Sequence, residues 1–207
     1  MIDAVKAPVI AISRLRMQTD GKGVTTLVCF HGCPLRCKWC INPFSFAPDT
    51  KRELITADTL YNKVKKDALY FLATGGGVTF GGGEPLLYPD FLREFRDKCG
   101  HEWHLCAETS LNVPWENVRK AAECIDMFYV DCKDTNPEIY HRYTGQENGR
   151  MLENLRRLLA LVGPEQIVVR LPLIPDYNTD DDRRRSQALL EEMGVTNVNP
   201  FTYLTKK

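Results

Sequence analysis

The sequence has no apolar run approaching the ~20 residues that a membrane-spanning helix needs. Its first residues, Met-Ile-Asp-Ala-Val-Lys, lack the charged-then-apolar layout of a secretion signal. A cytoplasmic protein with no membrane part is the expectation. An excess of one charge is also absent, since Lys plus Arg and Asp plus Glu number 27 each. Without a basic excess, nucleic acid is not an expected partner. No repeat, low-complexity tract or linker interrupts the chain. The 207 residues therefore read as one domain, residues 1–207, with a proper buried core. A monomer is expected.

What is present is an ordinary globular composition, 43% hydrophobic and 26% charged, with eight cysteines. In a mid-sized chain without a secretion signal, so many cysteines suggest reduced thiols or a metal centre rather than disulfides.

Strand-like runs cover Val24–Phe30, Gly77–Gly81, His104–Glu108, Met127–Asp131, Ile167–Leu173 and Thr196–Phe201. They are short, apolar and rich in β-branched or aromatic residues. Helix-like stretches lie between them, at Thr56–Ala73, Pro89–Lys98, Pro114–Cys124, Met151–Val162 and Thr179–Met193. Pro89 and Pro114, each soon followed by an acid, suit helix starts. Asn178–Thr179 before three aspartates reads as a capped start. Such alternation favours an α/β fold with a parallel sheet and right-handed crossovers. Six strands are too few to close an eight-stranded barrel, so an open partial (β/α)6 barrel is expected. Working residues should then gather at the C-terminal ends of the strands.

The run Cys33-Pro-Leu-Arg-Cys37-Lys-Trp-Cys40 follows directly on the first of these strands. A structural zinc site closes with four ligands, for which His31 or a distant cysteine would be needed. An iron–sulfur cubane held by three thiolates keeps one iron open for another molecule. Spacing leaves both readings standing. The glycine-rich run Gly75–Pro85 exits the second strand, as a plain turn or as a place where backbone approaches a ligand. It is not a phosphate loop, because no Lys-Ser or Lys-Thr follows. Asp131 and Lys133, two apart at a strand end, point the same way if the strand pattern persists. A surface ion pair is the plainer reading. Arg170 lies in an apolar strand and needs either a partner or a route to solvent. The remaining cysteines, Cys29, Cys99, Cys106, Cys124 and Cys132, read as small buried hydrophobes.

The three-then-two cysteine spacing, with Trp39 before the last cysteine, resembles the signature of radical S-adenosylmethionine (SAM) enzymes. More narrowly, Arg14–Pro43 resembles the N-terminal region of glycyl-radical-enzyme activating enzymes of the pyruvate formate-lyase activating type. Thr19-Asp20-Gly21-Lys22-Gly23 is similar to their Asp-Gly-Pro-Gly stretch, with Lys22 in place of the proline. The resemblance implies that Cys33, Cys37 and Cys40 hold one [4Fe-4S] cluster, and that SAM occupies the open iron. It implies that Trp39 flanks the adenine and that Gly82, Gly83, Glu84, Asp131, Lys133 and Arg170 hold SAM, with Glu84 on the methionyl amine. A small cation beside Glu108, Thr109 and Asp131 is a further implication, although the family has Asp where Glu108 stands. The segment between Cys40 and Gly75 has no cysteine, so no ferredoxin-like domain is expected.

The implied chemistry is reductive cleavage of SAM to a 5′-deoxyadenosyl radical, which takes hydrogen from a glycine Cα of a partner glycyl radical enzyme. A flavodoxin or ferredoxin would donate the electron. Two alternatives stand beside this activase: a radical SAM enzyme acting on a ribosomal peptide or small metabolite, and a non-catalytic cysteine-metal module. Thr202 falls near the place of a histidine in the relatives.

Overall fold

The computed structural model describes residues 4–17 and 20–203. Thr19 of the Asp-Gly stretch lies outside the described residues. The chain opens with β1 (Lys6–Met17) and β2 (Val24–Phe30). Then come β3 (Glu53–Thr56), α1 (Ala57–Val64), α2 (Ala68–Thr74) and β4 (Gly77–Gly82). Next are α3 (Pro89–Cys99), β5 (His104–Thr109), α4 (Trp115–Ala122) and β6 (Met127–Asp131). The last elements are α5 (Pro137–Thr144), α6 (Gly149–Val162), β7 (Ile167–Leu173), α7 (Asp180–Glu192) and β8 (Val198–Thr202).

Among the described residues, one sheet contains all eight strands, in the order β3-β1-β2-β4-β5-β6-β7-β8. From β2 to β8 every neighbouring pair is parallel. This is the expected open six-stranded arc. β3 and β8 form its two edges and do not meet. The sequence-based expectation missed β1 and β3, which add an antiparallel extension beside β2. β1 carries Pro8, Arg14 and Arg16 and two register breaks, so its apolar residues never alternate cleanly. β3 has four residues, too few for a periodic signal.

Three other expectations change. The helix expected over Thr56–Ala73 breaks at Lys65–Asp67 into a tight turn. There Asp67, buried at the sheet, accepts a 2.7 Å bond from Arg14 Nε of β1. The last strand begins at Val198 rather than Thr196. α5 was not anticipated, although Asn136 caps it through Glu138 N and Ile139 N, Pro137 begins it, and Gly145 ends it in the left-handed conformation.

Alternation along the strands sorts their two faces. Val28, Phe30, Phe80, Leu105, Phe128 and Val169 are fully buried on the face packed by helices. Phe30 stacks on Phe80 at 5.9 Å between centroids, and Phe95 of α3 meets Phe80 edge-on at 5.4 Å. The opposite, concave face carries Leu27, Gly81, Glu108, Tyr129, Asp131 and Arg170 on the intervening positions. Its polar residues sit toward the strands' C-terminal ends, where the expected site lies. Pro200 lies in edge strand β8, where its missing N–H weakens the edge as a template for another strand.

Candidate active site

The loop bearing the three cysteines leaves the end of β2 and is pinned from two sides. Gly32 N donates to Ser45 O at 2.6 Å, and Tyr88 Oη donates to His31 O at 2.6 Å. From the other side, the last carbonyls of α5 accept from the loop: Arg36 N to Thr144 O at 2.8 Å and Lys38 N to Tyr143 O at 3.1 Å. These are carbonyls that a helix end leaves without intrahelical partners. A helix absent from the sequence-based expectation thus holds the motif that the sequence displays most clearly.

Cys33, Cys37 and Cys40 are partly exposed free thiols, and Cys37 and Cys40 line a cavity of about 520 Å³. The cavity opens at the C-terminal ends of the parallel strands. Gly82, Gly83, Glu108, Asp131, Lys133 and Arg170 also line it. Five of the seven residues expected to hold SAM are therefore brought together: Gly82, Gly83, Asp131, Lys133 and Arg170. Trp39 is 41% exposed and does not line the cavity.

Glu84, expected on the methionyl amine of SAM, does not line the cavity. It is 1% exposed, and its carboxylate accepts from Thr109 Oγ1 (2.7 Å), Ser110 N (2.9 Å), Ser110 Oγ (2.6 Å) and Leu86 N (3.2 Å). Glu84 is thereby a brace between the exits of β4 and β5. Burial raises its pKa, against the pull of those donors. Its neighbours Gly82 and Gly83 are required by close approach to β2. A Cβ on Gly82, at φ +82°, would stand 2.6 Å from Cys29 Cβ, and one on Gly83 would stand 2.2 Å from Gly32 O. Gly83 N donates to Phe30 O at 3.0 Å and Glu84 N to Gly32 O at 2.7 Å. Asn42 Nδ2 adds a 3.3 Å bond to Gly82 O. The cysteine loop and the Gly-Gly-Glu loop are stitched into one unit.

A chain of charges floors the cavity. Lys133 Nζ donates to Asp131 Oδ2 at 3.0 Å and to Tyr203 Oη at 2.8 Å. Arg170 donates from Nε to Asp131 Oδ1 and from Nη1 to Glu108 Oε1, each at 2.6 Å. Burial works to raise the Asp131 pKa, but Arg170 and Lys133 outweigh it and hold the carboxyl at about 2. Glu108 moves the other way, because burial, aided by Asp131, exceeds the pull of Arg170. Lys133 stays charged: burial disfavours its ammonium, while Asp131 and Tyr203 raise its pKa well above the ordinary value. Arg16 and Asp20, paired with each other, close another side.

Beside Glu108, Thr109 and Asp131, where a small cation was expected, this chain's own groups meet the side chains. The Arg170 guanidinium already bridges the two carboxylates, and the Thr109 hydroxyl is engaged with Glu84 on the other face of the strand. Residues that the sequence-based expectation missed include Tyr143, Tyr203, Phe201 and Asn199, all lining the cavity. Thr202 is exposed, whereas its neighbours Phe201 and Tyr203 face inward, as strand alternation requires. Tyr143 carried no signal apart from membership of an unrecognised helix.

The donor set suits an iron–sulfur cluster. Among the described residues, no three His, Cys, Asp or Glu side chains form a preassembled metal cage. Three soft thiols on one loop nevertheless match the ligand chemistry of iron–sulfur sites. Burial pushes the Cys33 thiol up to about 12 and the Cys37 thiol to about 11, and the neighbouring thiols push Cys33 the same way. As thiolates, the three need a cationic centre among them. His31 makes a poor fourth ligand, since its Nε2 is 3.0 Å from Ala47 O and it does not line the cavity. Cys106, Cys124 and Cys132 are buried elsewhere, Cys29 is buried beside Gly82, Cys99 is only partly buried where a buried position was expected, and all eight cysteines are free thiols.

Comparison with known proteins places these residues in context. The profile of the radical SAM superfamily matches residues 27–187. The indoleacetate decarboxylase activating enzyme of Tractidigestivibacter scatoligenes is 30% identical over 79% of this chain and 72% of its own length. The pyruvate formate-lyase-activating enzyme of Staphylococcus aureus strain USA300 is 31% identical over 79% of this chain and 67% of its own. Streptococcus suis SuiB, solved bound to S-adenosylmethionine, superposes with a TM-score of 0.64 at 14% identity, covering 84% of this chain and 39% of that longer one. Among the described residues, no helix is long and apolar enough to cross a membrane.

Proposed function

The chain belongs to the radical SAM superfamily, and from that premise we propose that it is an activase for a glycyl radical enzyme. Cys33, Cys37 and Cys40 would hold a [4Fe-4S] cluster, with SAM at the iron they leave open. When bound, the cluster and SAM supply a 5′-deoxyadenosyl radical able to take hydrogen from a glycine Cα of the partner.

The residues of this chain bind and orient. Lys133 offers a fixed positive charge, with its ammonium positioned by Asp131 and Tyr203. Arg170 immobilises Asp131 and Glu108, so the polar floor does not reorganise when a ligand arrives. Gly82 and Gly83 bring backbone to the cavity wall without side chains in the way. No general acid or base is required.

The observation that carries this reading is the placement of three free thiols on one loop, at the rim of a cavity floored by Lys133, Asp131 and Arg170. The names of the relatives, activating enzymes of a decarboxylase and of pyruvate formate-lyase, support a glycyl radical enzyme as the partner. A flavodoxin or ferredoxin is the proposed electron donor, and one domain acting as a cytoplasmic monomer the proposed form.

The test is anaerobic reconstitution. The wild-type protein should turn brown and release 5′-deoxyadenosine under reduction, and Cys37→Ala should lose both properties together. A colourless protein with stoichiometric zinc and no SAM cleavage would sink the reading. For the partner, electron paramagnetic resonance should detect a glycyl radical when the protein, SAM and reductant meet the candidate enzyme. A radical formed only on a short peptide would redirect the assignment to peptide modification.

A further inference from the structure

Away from the active-site cavity, a groove of about 580 Å³ lies against the antiparallel extension of the sheet. Val9, Ile10, Ala11 and Ile12 of β1 all line it. Successive side chains of a strand point to opposite faces, so a groove lined by consecutive residues runs along the strand's edge. The pairing shows why this edge is open. β3 covers β1 from Lys6 to Val9, where Val9 stands opposite Glu53. β1 continues to Met17, with β2 on its other side. From Ile10 onward, among the described residues, no strand pairs with the outer side of β1. Such an edge presents a row of unpaired N–H and C=O groups. Arg14 reaches across to Asp67, and the backbone turns left-handed at Leu15, with φ 55°. The open stretch is therefore Ile10–Ser13, four residues, the length of β3 itself.

Charge gives the groove its sign. Lys51, Arg52 and Lys63 line it with a single acid, Glu53. Lys63 holds Glu53 at 2.7 Å. Arg52 Nη1 donates to the carbonyls of Pro48 and Thr50 at 3.0 and 3.2 Å, which cancels no charge. Lys51 and Arg52 thus leave the groove positive. A second copy of this chain would set these cations against themselves. The register break between Val9 and Ala11 also spoils a long edge-to-edge ladder. A short acidic strand avoids the first obstacle and is little affected by the second.

We propose that this groove docks an extended, acidic segment of a partner protein, which joins the sheet beside Ile10–Ser13 in line with β3. Backbone pairing supplies affinity, Ile10 and Ile12 offer contact to β-branched side chains, and Lys51 and Arg52 select for Glu or Asp. The groove lies at the end of the sheet that bears the cysteine loop, since Pro8 O accepts from His31 N at 2.8 Å. A docked partner is thereby held beside the mouth of the arc. Docking here does not depend on what the active site transforms.

The test uses the full chain and three short fluorescent peptides. One alternates valine and glutamate, one alternates valine and lysine, and one is the glutamate peptide with every backbone nitrogen methylated. Anisotropy should show the glutamate peptide binding at least about tenfold more tightly than the other two. Hydrogen–deuterium exchange should slow across Ile10–Ser13 when it binds. Lys51→Glu with Arg52→Glu should weaken the glutamate peptide about tenfold and tighten the lysine peptide. Release of 5′-deoxyadenosine should be unchanged in that variant. If a fall in melting temperature shows that the lost Arg52 bonds loosen the loop, Lys51→Glu alone carries the comparison. Failure of the glutamate peptide to bind wild type overturns the proposal. Equal binding of the methylated peptide, or slowed exchange elsewhere on the chain, does the same. A dimer whose protected amides are Ile10–Ser13 would assign the edge to a second copy and also overturn it.

Discussion

Asp131 sits between two cations, and that position makes it a gauge of the site's electrostatics. Its folded pKa of about 2 lies below the ordinary 3.8. A depressed carboxyl contributes stability that is present above pH 4 and lost as the pH falls through the folded value. The difference corresponds to about 2 kcal/mol. Urea unfolding of wild type should therefore weaken between about pH 4 and pH 2, and Asp131→Asn should flatten that part of the profile. Glu84 gives a second test. Glu84→Gln sets its amide N–H against a backbone N–H whichever way it turns, that of Ser110 or that of Leu86, at a cost of about 1–3 kcal/mol. The lowered midpoint of denaturation would report it. Asp131, Lys133 and Arg170 stood out in the sequence through the family resemblance, since local pattern alone favoured a surface ion pair for the first two and left Arg170 open. The task of Glu84 did not, because its partners Thr109 and Ser110 lie on another strand's exit, beyond what local pattern encodes.

Among the elements, α5 has an influence out of proportion to its eight residues. Its C-terminal carbonyls hold the cysteine loop, so its stability should be felt there. Asn136→Ala removes the cap and should cost about 1 kcal/mol. The same variant should shed its cluster faster under a chelator, followed by loss of absorbance; an unchanged rate would separate the helix from the loop. The signals for α5 were present in Asn136, Pro137 and Gly145, but eight residues give too short a periodic pattern to stand out. The longer segments α3 and α6 were legible within a few residues because each repeats its apolar spacing over three or more turns, and α7 because of its capped, acidic start. β1 was illegible for the opposite reason: it is long, but bulged and charged, and its place is set by β2 and β3 rather than by its own pattern.

At the scale of the molecule, the six-stranded parallel arc was legible from alternation and count, and the location of the site followed from it. Its ionic floor spans three adjacent strands, with Glu108 on β5, Asp131 on β6 and Arg170 on β7. Arg170→Ala would leave two carboxylates facing each other, a loss of about 3–5 kcal/mol. Its thermal midpoint should fall accordingly, and its SAM affinity with it. The stitched loops at the mouth of the arc lead to a different kind of readout. The Gly83 and Glu84 amides donate to Phe30 and Gly32, directly before the first cysteine. Their rates of deuterium uptake are therefore tied to opening of the cysteine loop. Occupied thiols should slow exchange at both amides together, so two residues that ligate nothing would act as an isotopic clock for the cluster.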